Sequence, residues 1–189
     1  SDRAAFANLI IPSSNITANA IARTFGQLLK DAESTSASDP RSLFVAEMNA
    51  KAASLGMSRT HFKNCSGVPA RGQVTSAADM AKLMLAVMTL PEVTRWWGLS
   101  SHVMPVKGLK PRNQKISSTV KVVNDYDVIG GKTGTLLPGF YNLALMSQAP
   151  DGDNIVTILL RAPDPRALYT DTRRILDAAK RGRNWALKS

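Results

Sequence analysis

Apolar residues recur at helical spacing through the first half of the chain. Phe6, Leu9 and Ile10 share one face, Pro12 interrupts the run, and Ile21, Phe25, Leu28 and Leu29 resume it. The pattern predicts two helices joined by the turn Pro12-Ser13-Ser14-Asn15. Residues 31–40 are small and polar, as in a loop, and Asp39-Pro40 supplies a cap and a first-turn proline. A helix through Leu43, Phe44, Met48 and Leu55 should then end at Gly56. Asn64, Gly67, Pro69 and Gly72 make 60–73 an irregular surface loop. Ser76 with Asp79 reads as a capping box for a helix through Met80, Leu83, Met84 and Val87 that Pro91 closes.

After Trp96 the period changes, and alternating or β-branched segments predict strands at 101–106, 116–123, 140–147 and 155–160. A last helix over about 165–180 places Leu168, Ile175, Leu176 and Ala179 on one face. Helices, then strands, then a helix imply an α+β fold, with a helical lobe over about 1–95 and a sheet lobe with the final helix over about 96–189. A single domain of 189 residues is large enough for a sizeable core.

Composition narrows the class without choosing a function. With 44% hydrophobic and 20% charged residues, and no stretch of eighteen apolar residues, the chain is globular in type. Its charge of +10 attracts polyanions, whether nucleic acid, anionic lipid or cell-wall polymer. Few aromatics and no recognition motif argue against nucleic acid. Cys65 is the single cysteine and reads as a small buried hydrophobe, so no intrachain disulfide or thiolate cluster is expected. His61 and His102 lack ligand spacing, so no metal site is expected, and no cofactor is expected either. The first six residues carry no signal-peptide pattern, which fits a cytosolic chain or one whose targeting segment has been removed.

The sharpest local signal is Gly130-Gly131-Lys132-Thr133-Gly134-Thr135. A phosphate-binding loop would need a longer glycine loop opening a helix, which Leu136-Leu137-Pro138 does not provide. On a strand, Lys132 and Gly134 share a face, setting an ammonium beside bare backbone on which a ligand can lie. Ser13 and Asn15, taken alone, are equally good helix-capping residues.

Taken together, the Ser13-Ser14-Asn15 turn and the Lys132-Thr133-Gly134 strand resemble the penicillin-recognising serine enzymes. The segments LIIPSSN, FVAEMNAKAASLGMSRTHFKNCSGV, TSAADMAKL and GGKTGTLLPGFYNLAL, in that order, most resemble the low-molecular-mass penicillin-binding proteins, serine-type D-alanyl-D-alanine carboxypeptidases of the peptidase S11 family. The resemblance implies a β-lactamase-like fold, an antiparallel sheet flanked by helices with a helical lobe, whose N-terminal strands would precede Ser1. It implies a proton-shuttling role for Ser13, and a hold on the substrate amide for Asn15. Lys132 and Thr133 would meet the terminal carboxylate, Gly134 would keep the strand bare, and Thr135 would lend an N–H to the oxyanion hole.

The family's nucleophile lies in a Ser-x-x-Lys turn upstream of Ser-x-Asn, and only twelve residues precede Ser13. The string Ser118-Thr119-Val120-Lys121 falls in a strand-like segment, where alternation would part Ser118 from Lys121. The chain is therefore expected to carry two walls of the site without the nucleophile and to be inactive alone. A nucleophile-free peptidoglycan-binding pseudoenzyme is the alternative. A β-lactamase-type fragment is disfavoured because Glu33, Glu47 and Glu92 do not occupy a suitable loop. Relatives often carry an arginine just before the aromatic near the last helix, where this chain has Leu168 before Tyr169 and Arg166 two residues earlier. The resemblance implies peptidoglycan stem peptides ending in D-Ala-D-Ala as substrate, β-lactams as ligands of the intact enzyme, and export to the wall side of a bacterial membrane. The basic charge suits wall and membrane surfaces; the oligomeric state is left open.

Overall fold

Capping side chains set most of the helix starts. The computed structural model describes residues 2–33, 39–106, 110–122, 126–136, 139–149 and 151–181. Helix α1 (Asp2–Ile10) ends before Pro12, and α2 (Asn15–Glu33) begins after Ser14, whose Oγ accepts the Thr17 N–H at 3.2 Å. In α3 (Pro40–Ser54) the Asp39 carboxylate accepts the Arg41 N–H at 3.0 Å, and Gly56 just past the end takes φ +68°. Ser76 caps α4 (Ala77–Met88) by accepting the Asp79 N–H. Residues 34–38, the centre of the Ser-rich segment, lie outside the described residues.

Pro91 does not merely close α4. It opens a further helix, α5 (Pro91–Trp97), from its first turn, where its missing N–H costs nothing. Strands β1 (Ser101–Val106) and β2 (Arg112–Ser117) pair antiparallel as a separate ribbon. A three-stranded antiparallel sheet follows in the order β3 (Val128–Leu136), β4 (Phe140–Gln148), β5 (Asn154–Ala162), and α6 (Pro165–Lys180) completes the fold. The Asp164 carboxylate caps α6 by accepting the Ala167 N–H at 2.7 Å.

The strand predicted over 116–123 stops at Ser117. Val120 and Val122 are buried, but by packing in the core beneath α6 rather than by ladder pairing, so their β-branched character misled the periodicity. The far end of that prediction, Val123, lies outside the described residues. On α6 the buried stripe is Leu168, Thr172, Leu176 and Ala178, while Ile175 stays 36% exposed.

Strand β4 is central and feeds both faces of the sheet. Leu143 and Leu145 pack with Val120, Val122, Leu168 and Leu176 on the α6 side. Met146 packs with Met84 and Trp97 on the other side, beneath α4 and α5. A third cluster of Ala7, Ile11, Trp96 and Ile116 ties α1 and α5 to the β1–β2 ribbon. Trp96 and Trp97 both serve packing. Their placement fixes α1 and the turn after it relative to β3, an edge strand whose outer side has no strand partner among the described residues.

Candidate active site

The turn between α1 and α2 divides its polar residues by task. Ser14 makes the cap, its Oγ also accepting the Thr17 hydroxyl at 3.0 Å, so Ser13 and Asn15 are not consumed by capping. Ser13 adopts φ +60°, a left-handed conformation that costs an L-residue about 1–2 kcal/mol. Its hydroxyl meets Lys132 of β3, and Ser13 and Asn15 both line the same cleft.

On β3, Lys132 donates from Nζ to Ser13 Oγ and, at 2.9 Å, to the carbonyl of Thr133. This contact joins the two sequence motifs across 119 positions. Burial against the cleft wall pulls the Lys132 ammonium down to a pKa of about 8. All four residues 132–135 line the cleft, and Thr133 and Thr135 also reach a cavity behind the strand. Gly130 permits this placement, because a Cβ there would lie 2.6 Å from the Trp97 ring.

The opposite wall is the 57–75 segment, pinned by polar staples. Asn49 brackets Phe62, its Oδ1 accepting the Phe62 N–H at 2.7 Å and its Nδ2 donating to the Phe62 carbonyl at 2.9 Å. Asp79, itself buried, accepts the Arg59 N–H and the Thr60 hydroxyl, each at 2.8 Å. Burial works against its charge, but those donors and nearby Lys82 outweigh it and hold its carboxyl below the ordinary range. Asn64 Oδ1 gathers the N–H groups of Ser66 and Gly67. An isolated bridge between His61 and Val74 closes the loop. Cys65, half-buried, donates weakly to Asn19 Oδ1 at 3.7 Å, and burial raises its thiol pKa, which makes it a poor nucleophile.

The resulting cleft has a volume of about 650 Å³ and brings together all six residues singled out from sequence: Ser13, Asn15, Lys132, Thr133, Gly134 and Thr135. Lys132 is the one charged side chain among its described lining residues, and no carboxylate is present there. Thr119, not singled out from sequence, also lines it and accepts the Thr133 hydroxyl across 2.6 Å. The cavity behind β3, about 520 Å³, holds Arg166, Lys121 and Arg173 with Thr133 and Thr135. A separate cavity of about 490 Å³ beside α2 and α3, containing the Arg41–Asp39 pair, includes none of the six.

The antiparallel sheet flanked by helices, with a helical turn facing its lysine-bearing edge strand, has a β-lactamase-like fold. The chain superposes on the Streptomyces K15 DD-transpeptidase with a TM-score of 0.83 at 20% identity, over 94% of this chain and 66% of that one. An evolved penicillin-binding protein homologue from Mycobacterium tuberculosis gives 0.79 at 23%, over 99% and 66%. Residues 8–163 match the D-alanyl-D-alanine carboxypeptidase family, peptidase S11, and the chain belongs to it. It is 28% identical over 141 residues to the D-alanyl-D-alanine carboxypeptidase DacF of Bacillus subtilis, covering 72% of this chain and 34% of DacF. To DacC of Escherichia coli it is 29% identical over 135 residues, 70% of this chain and 32% of DacC. The chain thus spans about a third of the length of these relatives.

Proposed function

We propose that the chain supplies two walls of the catalytic cleft of a serine-type D-alanyl-D-alanine carboxypeptidase acting on peptidoglycan stem peptides. The observation that carries this is the contact of Lys132 Nζ with Ser13 Oγ, made at the edge of β3 that has no strand partner among the described residues, in a cleft whose described lining holds no acid. A peptide ending in a free carboxylate suits such a cleft. Its backbone adds to the open edge of β3, and its carboxylate meets Lys132 and the Thr133 hydroxyl, with Arg166 and Lys121 adding positive potential from behind the strand.

In this reading a serine nucleophile attacks the carbonyl between the two D-alanines, and the acyl-enzyme is then hydrolysed. Ser13, hydrogen-bonded to a lysine titrating near pH 8, passes a proton to the departing amine. Asn15 holds the substrate amide, and Thr135 lends a backbone N–H to the oxyanion. We assign the nucleophile to no residue of this chain. In the string Ser118–Lys121 the Ser118 hydroxyl accepts the Val120 N–H at 3.1 Å, and neither Ser118 nor Lys121 lines the cleft. Both residues lie beyond β2, so strand alternation does not part them. Glu47 and Glu92, both exposed and away from the cleft, support carboxypeptidase over a β-lactamase-type reading.

Peptidoglycan as substrate places the protein outside the cytoplasmic membrane. No helix among the described residues is long and apolar enough to cross one. Intact-mass spectrometry after incubation with a penicillin tests the division of labour. The 189-residue chain is expected to stay unmodified, and a covalent adduct would put a nucleophile within it.

A further inference from the structure

Thr119 reached the cleft by a route that periodicity did not reveal. The segment carrying it is clamped on three sides. Ser118 N–H donates to the Ser100 carbonyl at 2.8 Å, and Val120 and Val122 anchor it in the core. From α6, the Tyr169 hydroxyl donates to the Thr119 carbonyl at 3.1 Å and accepts the Lys121 N–H at 3.2 Å. These clamps hold the Thr119 side chain against Thr133, hydroxyl to hydroxyl at 2.6 Å.

The direction of that bond has a chemical consequence. Without ligand, Thr133 donates its proton to Thr119 Oγ1. A carboxylate in the cleft only accepts hydrogen bonds, so Thr133 must turn its proton toward it. Thr133 is then best served by a neighbour able to reverse from acceptor to donor. A hydroxyl can do this by rotation about its C–O bond; a hydrocarbon cannot, and a fixed donor would leave Thr133 with no acceptor when the cleft is empty.

We propose that Thr119 is a positioning residue for carboxylate recognition, fixing the Thr133 rotamer in the empty cleft and donating to Thr133 once an anion is bound. This rests on the carboxypeptidase reading for the identity of the anion, while the rotamer claim rests on geometry alone. Tyr169 acts one step further back by holding the Thr119 backbone.

Two measurements on the 189-residue chain test it. Three-bond couplings report the Thr133 χ1 angle without ligand: a single rotamer is expected in the wild type and in Thr119→Ser, and averaging in Thr119→Val. Calorimetry then compares a peptide ending in D-Ala-D-Ala as free acid and as C-terminal amide. Thr119→Val should weaken the acid about fivefold to tenfold and change the amide less than about twofold, with Thr119→Ser restoring the acid. A single Thr133 rotamer in Thr119→Val, or equal weakening of acid and amide, overturns the proposal. If the wild type binds neither peptide, the carboxypeptidase reading fails, and the couplings still decide for or against the rotamer role of Thr119.

Discussion

At the scale of single residues, Ser13 and Lys132 both carry a cost that a purely structural role would not explain. Ser13 sits at φ +60° although Ser14 already caps α2. Ser13→Gly and Ser13→Ala remove the same hydroxyl, yet glycine also relieves the left-handed strain. Thermal unfolding should find Ser13→Gly more stable than Ser13→Ala by about 1 kcal/mol; equal melting temperatures would deny the strain. Lys132 titrates near pH 8 when folded, against 10.5 for the free side chain. Between those values the unfolded chain binds more protons, so stability rises with pH across that window, and the full penalty applies below pH 8. Lys132→Met should therefore stabilise the chain at pH 7 by about 1–2 kcal/mol, since water still reaches part of the side chain. That advantage should shrink as denaturation is repeated from pH 8 to pH 10.

At the scale of elements, the close packing of α5 on β3 positions the lysine. Gly130→Ala drives a methyl to 2.6 Å from the Trp97 ring, so the ring or the strand must move. Denaturant unfolding should register a loss of about 1–3 kcal/mol, and because Lys132 lies two residues along the same face, its contact with Ser13 should weaken too. An unchanged unfolding midpoint would show that the strand is not held this way. Elements with local signals were legible in sequence: Asp39 and Ser76 cap where their spacing placed them, because capping bonds close within three residues. Helix α5 was not, because Pro91 stops one helix and starts another with the same fixed φ. The motif residues of the cleft were singled out through a family resemblance, since Ser13 and Asn15 taken alone read equally well as helix caps. The cleft's other wall and the Thr119 segment were hidden, because Asn49 and Asp79 hold the one and Tyr169 the other across 13 to 50 positions, which no local pattern encodes.

At the scale of the whole molecule, charge and shape agree on an anionic ligand. The +10 surface raises the local concentration of anions, while the described lining of the cleft offers one lysine and no competing acid. The sheet presents β3 at one edge, beside the cleft, and β5 at the other, where no strand partner lies among the described residues and Leu160 is 36% exposed. The central claim, that Ser13, Asn15 and the 132–135 strand form one peptide-binding cleft, is tested most directly by amide chemical-shift mapping with a peptide ending in D-Ala-D-Ala. Saturable shifts concentrated at 13–15, 119 and 132–135, weaker by tenfold or more for Lys132→Gln, are the expected result. Shifts confined to the cavity around Asn19 and Arg41, or no saturable shift at all, would contradict it.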